Sequence, residues 1–331
     1  MRFSARNRNA SRLCRARPAV AWTLICCLAA GCTNPGATPQ RDQARDPASS
    51  SRPVATPSPT PSFASHRPSS SPGPSRTPSA DPDSRDPARF AAELDRASTT
   101  LRDKDSPETE VTKAAEFQQL ALRNLAGAPK TFRAAVIKDL DRTTAKTTRA
   151  QIKAAQALAT ISYPVHSLPD WRIVHPAAPD DLLRCYREAQ RRTGVDWSYL
   201  AAIQFVETRM GRIRGASSAG ALGPMQFTRA TWQTYGNGGD INDNRDAIQA
   251  AARLLKANGA DHDMDTALWH YNPAAGYVRA VEIYAATMRA SVSAHYGYWH
   301  WQVIYSYDGR SFILPVGYPE KHAIRLPEPG K

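Results

Sequence analysis

Residues 205–227 read FVETRMGRIRGASSAGALGPMQF. Tyr199, Leu200, Ile203, Val206 and Met210 recur at steps of three and four residues, which marks one face of an α-helix. Glu207 falls on that face, four residues after Ile203 and three before Met210. A carboxyl placed there loses solvation, which disfavours its charged form and raises its pKa. Such a group is suited to hold a proton near neutral pH and give it to a leaving oxygen. The loop that follows is rich in small residues, among them Gly215, Ser217, Ser218, Gly220 and Gly223. It lets backbone approach an extended ligand closely and offers N–H, C=O and hydroxyl groups.

Three ordered motifs extend this reading: Glu207, the string SSAGALGPMQ from Ser217 to Gln226, and the pair Tyr271-Asn272. Together they resemble the lysozyme-like lytic transglycosylases, with the likeness running from about Trp171 to Met288. The resemblance implies a mainly α, lysozyme-like catalytic domain that cleaves the MurNAc–GlcNAc β-1,4 bond of peptidoglycan. It implies Glu207 as the single catalytic acid and base. Ser217, Gly220, Met225 and Gln226 would line the glycan groove, Tyr271 would hold Glu207 in place, and Asn272 would support that helix end. Two features depart from the usual pattern. The stretch from Glu207 to Ser217 is one residue longer than in the commonest members, and YNPAAGYV stands where Y-N-A-G is usual. With GDINDNRDAI, they look like an actinobacterial-type lipoprotein branch.

The companion residues also have plainer readings. Met225 and Phe227 suit a core, and Trp232, Trp269, Trp299 and Trp301 suit packing as well as sugar stacking. Asp240, Asp243 and Asp246 precede a helical pattern and read as caps or N-terminal charge partners. They set the mechanistic choice. A hydrolase needs a second carboxylate, at about 5–5.5 Å for retention or about 6.5–9.5 Å for inversion. A transglycosylase needs none, because the sugar's own 6-hydroxyl attacks C1. No second acid stands in motif context, so transglycosylation with 1,6-anhydroMurNAc ends is expected. A goose-lysozyme-like hydrolytic muramidase using Asp240 or Asp243, and a non-catalytic peptidoglycan-binding protein, are the alternatives.

The 331-residue chain has room for about two domains. Arg2, Arg6, Arg8, Arg12, Arg15 and Arg17 precede the apolar run AVAWTLICCLAA and then Gly31-Cys32. A basic head, a short apolar stretch and small residues form a secretory signal rather than a membrane span. The ending LAAGC resembles a bacterial lipobox, with Leu28 four residues before Cys32 instead of three. Residues 1–32 are therefore expected to be a lipoprotein signal with Cys32 as the lipidation site. That implies an exported protein anchored at the extracytoplasmic face of the membrane and facing the wall. Of the net charge of +13, six charges are those signal arginines, and the remaining seven form no Lys/Arg stripe interleaved with aromatics. A nucleic-acid partner is not expected. Of the five cysteines only Cys185 lies beyond Cys32, so no intramolecular disulfide is expected in the mature protein. No Cys/His cluster has zinc spacing, so neither metal nor cofactor is expected, and a monomer is assumed.

Residues 33–87 hold 13 of the chain's 26 prolines and almost no large apolar residue. Such composition cannot offset chain entropy by burial and reads as a disordered tether. Residues 88–163 carry helical patterns throughout and read as an all-helical accessory region, with Ser106 as an N-cap and Pro107 at the first helical position. Residues 164–292 hold the lysozyme-like transglycosylase domain. In residues 293–331, Asp308-Gly309 between two β-branched and aromatic runs signals a β-hairpin.

Overall fold

The computed structural model describes residues 84–327. The signal stretch, Cys32 with its expected lipid, and the tether as far as residue 83 lie outside the described residues.

Four helices open the described chain: α1 (Pro87–Arg102), α2 (Glu108–Gly127), α3 (Lys130–Asp139) and α4 (Arg142–Ala159). Asp86 caps α1 through the Ala88 N–H, and Asp141 caps α4 through those of Thr143 and Thr144. The start of α2 differs from the expected one. Pro107 is its N-cap with no side-chain hydrogen bond, while the Ser106 hydroxyl donates to Asp103 at 3.0 Å. Asp103 has drawn that serine into the preceding turn.

A two-residue strand β1 (Arg172–Ile173) precedes α5 (Pro179–Thr193) and α6 (Trp197–Thr208). Gly194, at φ +83°, ends α5 in the left-handed conformation that glycine adopts most readily. Strand β2 (Ile213–Arg214) follows α6 and pairs antiparallel with β1. Then come α7 (Arg229–Tyr235), α8 (Asn244–Ala257), α9 (Met264–Tyr271), α10 (Ala275–Ala290) and α11 (Ser293–Trp299). The chain closes with β3 (Val303–Tyr307), β4 (Arg310–Leu314) and β5 (Ile324–Arg325), in sheet order β3-β4-β5. The protein is mainly α, as its periodicities indicate.

Helix α6 is more deeply placed than one apolar face would require. Ser198 and every residue from Leu200 to Thr208 are buried. A helix buried on all sides sits in the centre of a domain, so neighbours meet it on every face. One of them is α10, which packs on both α6 and α4. The seam with α4 is close: a Cβ on Gly276 would lie 2.3 Å from the Ala157 carbonyl oxygen. Phe90, Leu122, Ile152, Phe205, Leu255, Tyr277 and Tyr298 belong to one hydrophobic cluster. Gln151 of α4 donates to the buried Tyr298 hydroxyl at 2.8 Å. The helices of residues 88–163 therefore share their core with those that follow, and the proline-rich segment YPVHSLPDWRIVHPAAP (residues 163–179) does not divide it.

The hairpin forms as its sequence signals. Asp308 (φ +47°) and Gly309 (φ +72°) make a two-residue turn between Tyr307 and Arg310. Trp171, Ile173, Ile213, Val303, Tyr305 and Leu314 form a second, smaller cluster beneath it. Strands β1, β2 and β5 were not foreseen, because two residues are too few to show a period. No helix among the described residues is long and apolar enough to cross a membrane.

Candidate active site

Glu207 occupies the last turn of α6 and is 3% exposed. The chain leaves the helix abruptly. Arg209, Met210 and Gly211 have φ of +52°, +61° and +82°, three left-handed residues in succession. Non-glycine residues rarely take this conformation, so the surrounding structure must enforce it. Thr208 is one anchor: its hydroxyl donates to the Pro224 carbonyl at 2.7 Å and accepts from the Gly211 N–H at 3.0 Å. A second anchor is Arg209, whose guanidinium donates to the Phe205 carbonyl at 2.8 Å and lies 4.5 Å from that ring's centroid. Gln204, one turn before Thr208, accepts from the buried Tyr186 hydroxyl and donates to Asn244 at 2.8 Å. The acid thus stands on a helix end fixed from several directions.

Thr208 also joins α6 to the small-residue loop. Ser217 builds that loop from inside: its hydroxyl accepts from the N–H groups of Ala219 and Ala221, at 3.2 and 3.0 Å. Ser218, Ala219 and Gly220 are exposed on the turn. Gly220 (φ +75°) has open space where a Cβ would go, whereas a Cβ on Gly223 (φ +76°) would lie 1.9 Å from the Ile241 carbonyl oxygen. Gln226, at φ +51°, is half-buried and donates from its side-chain amide to the Gly223 carbonyl at 2.9 Å. The Met225 side chain is fully buried, while its carbonyl accepts from the Tyr271 hydroxyl at 2.6 Å.

Aromatic rings close the other side. Tyr271 lies 5.9 Å from Phe227 and stacks 6.3 Å from Tyr277 with the planes 7° apart. The Tyr277 hydroxyl donates to Glu207 Oε1 at 2.8 Å. The sequence motif names Tyr271 as the tyrosine that holds Glu207; the structure adds a second one, Tyr277 from the first turns of α10, on Oε1. Tyr277 escaped notice because YVRAVEIY reads as an ordinary buried helix face. Asn272 is buried and caps the end of α9, its N–H bonded to the Leu268 carbonyl at 2.9 Å.

The aspartates of the next loop are tied up locally. Asp240 accepts from the Asn242 N–H at 2.9 Å, and Asp243 caps α8 through the Asp246 N–H at 3.0 Å. The Asp246 carboxylate accepts from the Asp240 N–H at 2.9 Å. Cys185 is half-buried on α5, and burial pushes its thiol pKa up, away from nucleophilic use. Trp301 is buried, Trp232 packs on Phe227, and Trp299 bonds the Ala177 carbonyl, leaving Trp269 as the tryptophan with half its surface exposed.

The mainly helical body thus seats the Glu207 carboxyl at the end of a helix buried on all sides, beside a small-residue loop. Residues 184–293 match the model of the Transglycosylase SLT domain family. The match covers most of α5, all of α6 to α10 and the first residue of α11, and so includes the whole site. It supports transglycosylase-type, peptidoglycan-degrading activity in general. Neither the curated proteins nor the solved structures contain a match to the chain.

Proposed function

We propose that this protein is a lytic transglycosylase that cuts the MurNAc–GlcNAc β-1,4 bond with Glu207 as its only acid and base. The buried Glu207, held by the Tyr277 hydroxyl at 2.8 Å, carries this reading. The Glu207 carboxyl donates its proton to the glycosidic oxygen as the C1–O bond breaks and positive charge develops at C1. The MurNAc 6-hydroxyl then attacks C1, and the Glu207 carboxylate takes up that hydroxyl's proton. The product end is a 1,6-anhydro ring, and the acid returns to its starting state. An intramolecular nucleophile has the proximity advantage that a free water lacks. The engagement of Asp240 and Asp243 in turn and cap hydrogen bonds favours this route over a water-based one. Ser217 and Gln226 act chiefly by shaping the loop, with Gly220 on its exposed rim.

In the cell we place the enzyme outside the cytoplasmic membrane, held there by lipid on Cys32. The decisive experiment is product analysis on purified sacculi. Anhydro ends, lighter than hydrolysis ends by one water and free of label from heavy-oxygen solvent, are expected. Reducing ends, with activity lost in Asp240→Asn or Asp243→Asn, would instead make the protein a hydrolytic muramidase.

A further inference from the structure

Helix α4 carries Arg142, Lys146, Arg149 and Lys153 and no acidic residue. Steps of four, three and four residues keep these cations on one narrow stripe, about 16 Å long at 1.5 Å per residue. All four are exposed, and none has an ion pair or side-chain hydrogen bond among the described residues. Some other surface cations have partners, as in Arg89–Glu93, Lys113–Glu110 and Lys256–Asp261, but no other helix among the described residues carries four cations on one stripe without an acidic residue. Like charges one turn apart disfavour a helix, so packing alone gives no reason for this arrangement.

At the N-terminal end of the stripe, Arg142 and Lys146 help line a cavity of about 540 Å³ between α4, α1, α10 and α11. Its apolar wall includes Leu101, Ala150, Ile283 and Ala286, and no carboxylate lines it. Arg102, a third cation there, is already engaged by the Thr144 hydroxyl at 3.3 Å and by Asp141 at 3.7 Å. Lys153 lies one turn before Ala157, whose carbonyl backs Gly276, the neighbour of Tyr277.

We propose that the α4 stripe and this cavity form a second substrate-binding surface for the peptide stems of peptidoglycan. The cations take stem carboxylates, and the cavity takes a small apolar side chain beside one of them. The inference rests on the peptidoglycan reading given above. A phosphodiester wall polymer would match the charge, whereas the apolar wall beside Arg142 and Lys146 favours a peptide, whose anions stand next to apolar side chains. A lipid surface would call for large apolar groups beside the cations, whereas the exposed ones are Tyr163, Trp269 and Ile324, none of them on α4.

The test compares the full chain with Arg142→Gln/Lys146→Gln/Arg149→Gln/Lys153→Gln, a variant that keeps good helix formers at exposed positions. Two probes are used: sacculi stripped of phosphate polymers, and glycan strands freed of their stems by amidase. The variant should cosediment with stem-bearing sacculi roughly tenfold less well, with a weaker dependence on salt, yet cut stem-free strands at the unaltered rate. Equal cosedimentation, an equal loss on stem-free strands, or a loss seen only while phosphate polymers are present would each overturn the proposal. The two readings fail separately. If the natural chain binds sacculi through the stripe but releases no glycan fragments, the catalytic reading falls and this one stands. If it cuts sacculi and the variant binds them equally, the reverse holds.

Discussion

Tyr277 and Glu207, 70 residues apart in sequence, meet through a 2.8 Å hydrogen bond from the tyrosine hydroxyl to the carboxyl Oε1. Both side chains are almost fully buried, so the contact fixes the carboxyl's orientation where water has little access. It also ties α6 to α10. Tyr277→Phe keeps the ring stack on Tyr271 and deletes the hydroxyl that donates to Glu207. A hydrogen bond to a charged group is worth about 1.5–3 kcal/mol, so kcat should fall on the order of tenfold to a hundredfold. KM on sacculi should hardly move, since the hydroxyl serves the acid. A fall in kcat/KM arising from KM alone would contradict the assigned role.

Glu207→Gln keeps the size of the acid and removes its transferable proton. Cosedimentation with sacculi should persist while release of soluble fragments collapses by several orders of magnitude, since the proposed route has no other proton donor. Substantial residual cleavage would move the acid to another residue.

The two glycines of the loop should separate cleanly. Gly220→Ala meets open space and costs only the left-handed strain, about 1 kcal/mol. Gly223→Ala would put a Cβ 1.9 Å from the Ile241 carbonyl oxygen, so backbone must move. Urea denaturation should show a small loss for the first and a loss of several kcal/mol, or a misfolded loop without activity, for the second. Similar midpoints for both would show that the loop has slack at Gly223.

Glu282 supplies a pH prediction away from the site. Burial, then its hydrogen bond to Asp265, push this carboxyl up from 4.5 to about 7. The folded chain therefore holds that proton more tightly than the unfolded one. The stability this gives is complete below about pH 4.5 and is lost as pH rises through about 7. Glu282→Gln keeps an uncharged side chain at all pH values, so its Tm should decline less than the parent's from roughly pH 5 to 8. Parallel Tm curves would remove Glu282 from the account.

Much of the helical fold was legible because its signals are local. Gly194 and the Asp308-Gly309 turn stand where the chain changes direction and act through their own backbone, while Asp196 caps α6 by accepting from the Ser198 N–H two residues on. Glu207 was legible because a carboxyl among Ile203, Val206 and Met210 breaks a pattern. Tyr277 breaks none, and only tertiary packing brings it to the acid. The same holds for Thr208, which looks like a helix-end residue until Pro224 arrives from 16 residues further on. Ser217 and Met225 carry motif positions, yet one bonds within its own turn and the other is fully buried. A motif records that a residue type is needed there without saying whether its side chain or its backbone meets the ligand.

The absent Cβ of Gly276 bears on how this enzyme can be divided. The family match begins at residue 184, well after α4, yet the helix carrying Tyr277 rests against the last turn of α4 through that glycine. Cutting the chain at the match boundary would strip α10 of that support and open a long apolar flank to water. The matched segment is thus not a portable cassette. Grafted onto another protein without residues from about Pro87 onward, it should aggregate or lose the alignment of Tyr277 with Glu207.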